Sequence, residues 1–147
     1  MTKSLMFFGA GNVLLKYETK EISKVSGIVK SMPATGGMLL IGGLAITGSP
    51  PFSIFLSEFT ILSAGFLQGH IISSVLFLLF MIMIFAGFFN NLVKMTFGTP
   101  KPGIIPGEVS RWTLGAMAIL VVFVIVLGVY IPPFFYEMIM KVVAVVR

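Results

Sequence analysis

The chain has 147 residues, 57% of them hydrophobic and 10% charged, with a net charge of +5 and a mean hydropathy of +1.07. A soluble domain carries about a quarter of its residues charged, so ten basic and five acidic side chains are too few to cover a soluble particle of this size. The absence of cysteine excludes thiolate-held zinc, iron–sulfur clusters and disulfides, and the single histidine excludes a bis-histidine haem built from this chain alone.

Charge placement is decisive. Ser31 to Ser57 carries no charge, Phe59 to Val93 carries none apart from the titratable His70, and Trp112 to Tyr136 is again uncharged. A spanning helix needs about 20 mostly apolar residues, so these runs hold at least three crossings and room for a fourth. The reading is an all-α, polytopic transmembrane helix bundle of about four to five helices forming one domain over residues 1–147. The bases sit beside apolar runs, where anionic headgroups account for them. No basic face on a folded domain points to nucleic acid.

Taken in chain order, Thr2 to Leu15 predicts a helix shorter than a full span. No small-residue cleavage site follows it, which argues against a secretory signal. Lys16 to Lys30 is the densest charge cluster, with Ile22, Val25, Ile28 and Val29 at helical spacing. This suits an amphipathic segment at the membrane surface or a solvated connection with a few anchoring side chains. Pro33 to Thr47 predicts a helix opened by proline. Its glycines at 36, 37, 42 and 43 give it a thin surface for close packing in the bundle interior. Gly48-Ser49-Pro50-Pro51 interrupts the chain, because two prolines cannot continue the preceding helix but can open the next. Helices are then predicted over Pro51 to Leu67, Ile71 to Met95 and Trp112 to Ile131. A Pro/Gly-rich loop runs from Thr96 to Arg111, and Phe134 to Arg147 forms an apolar interfacial tail.

Four titratable groups at or near membrane depth are candidate relay residues. Glu58 is the only acid between Glu21 and Glu108, and it follows the proline break. Ser53, Ser57 and Thr60 lie near it at helical spacing. A carboxyl group held away from water can take up and release protons near neutral pH. The bland alternative places Glu58 near the headgroups, neutralised by a lysine from another helix. Lys3 and Lys94 stand near helix ends and suit snorkelling as well as a relay. His70 sits in a predicted turn, where a solvated structural role competes with a relay. Neither a nucleophile–base pair, a phosphate-binding loop nor metal-ligand spacing is present, so no catalytic site, metal or cofactor is expected.

Two stretches carry a resemblance. Thr2 to Gly11, TKSLMFFGAG, resembles the Lys-Ser/Ala-Leu-Leu-Phe-x-x-Ala-Gly stretch of the antiporter-like membrane subunits of respiratory complex I, membrane-bound hydrogenases and multisubunit cation/proton antiporters. Gly43 to Leu62, GLAITGSPPFSIFLSEFTIL, resembles their later Gly-x-Pro-Pro-x-x-x-F-x-x-Glu-F segment. The Ser-Pro-Pro-Phe and Leu-Ser-Glu-Phe wording, with Phe8 to Lys16, is most like hydrogenase-4 component F.

The resemblance implies two inverted repeats with broken helices and a chain of Lys, His and Glu side chains carrying protons through the membrane. Lys3 would be the intramembrane lysine of the second half-channel, and Glu58 the terminal residue on the late broken helix. It also implies a multi-pass protein of a prokaryotic cell membrane, a proton- or sodium-translocating part of a redox-driven complex. The resemblance covers only the C-terminal part of that inverted-repeat fold, its last four or five helices, so the chain reads either as a C-terminal fragment or split-gene product or as one that needs a chain carrying the missing N-terminal helices. Its other expected partners are the lipid bilayer and other membrane subunits of a hydrogenase or complex I-like assembly. The alternative is a structural membrane anchor or assembly subunit without ion conduction. If every apolar run crosses fully, Lys16 to Lys30 with Lys141 and Arg147 fall on one side of the membrane, and Lys94, Lys101 and Arg111 on the other. Counting bases makes the first side cytoplasmic, whereas the resemblance favours the second.

Overall fold

The structure is a computed structural model that describes residues 1–100, 102–130 and 132–146. Lys101, Ile131 and Arg147 lie outside the described residues. Among the described residues every regular element is helical: α1 (Thr2–Tyr17), a short 3₁₀ turn (Ile22–Lys24), α2 (Ile28–Ser31), α3 (Pro33–Ile46), α4 (Ser53–Leu67), α5 (Ile71–Phe97), α6 (Arg111–Val129) and α7 (Pro133–Val146). Five apolar helices, α1 and α3 to α6, match the five predicted segments to within about two residues at each end. Of these, α5 and α6 are each long and apolar enough to cross a bilayer, and α3 and α4 are shorter apolar helices.

Helix boundaries follow local chemistry. Pro33 occupies the first turn of α3, where its missing N–H costs no hydrogen bond. Prolines 50 and 51 separate α3 from α4. Charged residues 16–30 do not form a continuous surface helix. The chain leaves α1 through Glu18 in the left-handed region (φ 50°) and makes one 3₁₀ turn. Buried Val25 and Ile28 then anchor it under the bundle. The connecting-segment reading is therefore the one observed.

Helix α3 is the centre of the bundle and packs against α1, α2, α4, α5 and α6. Its glycines make this possible. A Cβ on Gly42 would stand 3.1 Å from Leu5 Cδ2 and 2.9 Å from Met6 Sδ on α1, and one on Gly43 would overlap Leu92 Cδ2 on α5. Gly9 of α1 likewise receives Leu39 of α3. These pairings run in opposite directions along the two chains, so α1 and α3 are antiparallel.

Helix α5 runs back along both α3 and α4, with Leu92 at Gly43 and Ser74 at Gly65. Its 27 residues extend about 40 Å, whereas the 14 and 15 residues of α3 and α4 extend about 21 and 22 Å. Two half-length helices end to end thus accompany one full-length helix.

That arrangement corrects the expected sidedness of the loops. Residues 18–27 and 98–110 lie at the same end of the bundle. Ser26 Oγ donates to Thr99 O at 2.5 Å, Lys16 Nζ to Gly107 O at 2.7 Å, and Gly107 N to Ser31 O at 2.8 Å. Gly27, at φ 69°, seals the junction, because a Cβ there would stand 2.5 Å from Pro100 N. The expectation of opposite sides took every apolar run as a full crossing, whereas α3 and α4 follow one another along α5.

Most apolar side chains of α5 face outward, Ile72 and Ile84 among them. Its length and composition are those of a membrane-crossing helix.

Candidate functional site

The break between α3 and α4 is the most unusual backbone in the bundle. Helix α3 closes with Thr47 Oγ1 donating to Gly43 O at 2.8 Å and Ser49 N donating to Leu44 O at 3.0 Å. Gly48 between them has φ 68°, a region that costs an L side chain about 1–2 kcal/mol. The linker then turns through Ser49 O, which accepts from Phe52 N at 3.1 Å. Phe52 is buried with Ala45 and Val124. Helix α6 supports the linker from the other side: a Cβ on Gly128 would stand 2.7 Å from Pro51 O and 2.9 Å from Phe52 Cα.

Glu58 lies in the second turn of α4 and folds back over this linker. A Cβ on Gly48 would overlap Glu58 Oε2 and stand 3.0 Å from Oε1. The missing side chain at position 48 therefore makes room for the carboxylate. Oε2 is enclosed and meets no hydrogen-bond donor among the described residues. Such an acceptor is costly in an interior and rare in folded proteins. The nearby hydroxyls do not relieve it. Ser57 Oγ donates to Ile54 O at 2.8 Å and Thr60 Oγ1 to Leu56 O at 2.7 Å, each bonding its own helix.

Lys3 is in the first turn of α1 and is exposed in this chain. The α1–α3 register sets its depth. Leu5 and Met6 meet Gly42, Gly9 meets Leu39, and Asn12 Nδ2 donates to Thr35 Oγ1 at 3.3 Å. Extending that register places Lys3 beside Leu44 and Ala45. This is about one helical turn, roughly 5 Å, from the level of Gly48 and the Glu58 carboxylate. Helices α1 and α4 share α3 and α6 as neighbours. Lys3 and Glu58 thus stand about one helical turn apart in level and form no ion pair among the described residues.

The other two predicted residues stand elsewhere. His70 is exposed at the α4–α5 turn, beyond the end of α4, which lies about 14 Å along the helix from Glu58. Its carbonyl accepts from Ser74 N at 3.0 Å and Ser74 Oγ at 2.9 Å, which starts α5. Lys94 is exposed in the last turn of α5, at the end shared by the two loops.

One polar residue outside the four candidates is central to the packing. Glu108, in the α5–α6 loop, reaches the open end of α3. Its carboxylate accepts from Ala34 N at 2.8 Å, Thr35 N at 3.2 Å and Thr35 Oγ1 at 2.6 Å. Buried Thr35 then accepts from buried Asn12, whose amide also donates to Met117 Sδ at 3.6 Å. The sequence held one clue: α3 begins behind Met32, a residue with no capping oxygen.

Comparison with known proteins places this arrangement. Residues 1–84 match the family described as NADH:quinone oxidoreductase/Mrp antiporter, TM. A hydrogenase-4 component F homolog of Methylacidiphilum infernorum is 34% identical over 133 residues, covering 90% of this chain and 27% of that protein. NADH-quinone oxidoreductase subunit L of Campylobacter jejuni is 36% identical over 137 residues, covering 90% of this chain and 22% of its own length. The chain thus spans about a quarter of the length of these relatives. A chain in the solved Mrp complex from a Dietzia species superposes with a TM-score of 0.73 at 18% identity, over 86% of this chain and 32% of that one. This likeness establishes an antiporter-like fold.

Proposed function

This chain belongs to the NADH:quinone oxidoreductase/Mrp antiporter transmembrane family, and we propose that it supplies one half-path for protons, or sodium, in a membrane subunit of a redox-driven complex. The carrying observation is Glu58: a carboxylate folded onto a helix break, over a glycine that leaves it room, with one oxygen enclosed and no donor to hold it among the described residues. A carboxylate without a fixed partner is free to exchange a proton or a cation with a mobile one. Lys3, about one helical turn away along the bundle, is its counterpart. His70 and Lys94 stand at the two ends of α5 and act as exit or entry groups.

In this reading α3 and α4 form one broken crossing, and the chain crosses four times: by α1, by α3 with α4, by α5 and by α6. Lys16, Lys20, Lys24, Lys30, Lys94 and Arg111 then gather at one end of the bundle, and the bias of bases makes that end cytoplasmic. The relatives that it matches carry hydrogenase, NADH-quinone oxidoreductase and Mrp names. Other membrane subunits of such an assembly are the proposed partners.

The test is Glu58→Gln in membranes that hold the assembled complex, with redox turnover and acidification of inverted vesicles followed together. Loss of acidification with turnover partly retained supports the relay. Normal acidification at normal turnover refutes it and leaves a structural anchor as the role of this chain.

A further inference from the structure

A second feature lies beside α1. An apolar cleft of about 430 Å³ opens between α1 and α5, with Leu39 of α3 among the residues lining it and loop residues 19–22 at one end. Half-buried Met6 and exposed Ala10 of α1 both line it. From Met6 to the end of α1 is about 16 Å, the depth of one leaflet of a hydrocarbon core about 30 Å thick.

Its charged lining residues are Lys20 and Glu21. Glu21 is already paired with Lys24 at 2.7 Å. Lys20 makes no hydrogen bond or ion pair with the described residues, so the mouth of the cleft presents one unneutralised cation at the end of the bundle where the bases gather.

Size decides the class of occupant. One turn of a helix about 10 Å across fills roughly 420 Å³, so a partner helix would seat little more than a single turn here. A slim hydrocarbon chain fits along the full depth. We propose that this cleft holds one acyl chain of an anionic phospholipid, with its phosphate against Lys20. The site would anchor the connecting segment that leads from α1 to α3.

The experiment is native mass spectrometry of the full chain released from micelles loaded with equal amounts of dioleoylphosphatidylglycerol and dioleoylphosphatidylcholine. The wild type is expected to retain the anionic lipid in preference. Lys20→Gln, an exposed change, is expected to reduce that preference about five-fold, the effect of one basic residue at an anionic surface. Ala10→Phe, which narrows the cleft, is expected to reduce retention of both lipids. Equal retention of the two lipids by the wild type, or unchanged retention in both variants, overturns the site. So does a cysteine at position 10 that cross-links to a companion chain in the assembled complex while lipid retention stays unchanged, because the cleft is then covered by protein.

Discussion

Removing the Glu108 carboxylate should open the start of α3 and loosen the junction that holds the two loops together. Three donors converge on that carboxylate: Ala34 N at 2.8 Å, Thr35 N at 3.2 Å and Thr35 Oγ1 at 2.6 Å. Loss of a helix cap costs typically about 1 kcal/mol. Loss of a negative charge at the positive end of a helix adds about 0.3–1 kcal/mol. Glu108→Ala should therefore destabilise the first turn of α3 by about 2 kcal/mol, a factor of roughly 30 in its opening equilibrium. Glu108→Gln keeps an acceptor for the two amides and should lose about half as much. Hydrogen exchange read by mass spectrometry over residues 33–37, in detergent micelles, reports this opening directly. The expected order is wild type slowest, Gln intermediate and Ala fastest. Thr35→Val should show coupling to Glu108→Ala in a double-mutant cycle, because the two share a hydrogen bond. Identical exchange in all three forms would refute the capping role, and with it the view that a long-range contact fixes the depth of α3.

Two further outcomes follow from the break and the loops. Gly48→Ala places a methyl group where Glu58 Oε2 now lies and costs about 1–2 kcal/mol in the backbone alone; it should cut redox-driven acidification as severely as Glu58→Gln, and normal acidification would show that the position of the carboxylate is immaterial. Single cysteines at Ser23, Pro102 and Gln68 can be read cleanly in a chain without cysteine. The first two should react with an impermeant maleimide from the same side of the membrane and the third from the other, whereas labelling of 23 and 102 from opposite sides would break the four-crossing arrangement.

Much of this was legible in the residues because the signals are local. An isolated carboxylate in an uncharged stretch behind two prolines marks itself, and the structure puts Glu58 on the break that those prolines make. Glycines 36, 37, 42 and 43 announce close packing; 36, 42 and 43 lie against a neighbouring helix, and Gly37 faces open space. What escaped depends on distance along the chain. Glu108 and its α3 partners are 73 and 74 residues apart, and nothing in a Pro/Gly-rich loop says which helix end it will reach. The sidedness of the loops escaped for a different reason. Periodicity separates two apolar runs but does not say whether they are two crossings or one broken crossing. Their lengths support the proposed broken crossing, since 14 and 15 residues each fall short of the roughly 20 that a span requires.

The central claim is that Glu58 changes its protonation state as the complex works. Infrared difference spectroscopy of the assembled complex, recorded between resting and turning-over states, tests this most directly. A carboxyl C=O band should appear or disappear with turnover in the wild type and be missing in Glu58→Gln. A wild-type difference spectrum without such a band, or one that Glu58→Gln leaves unaltered, would contradict the claim.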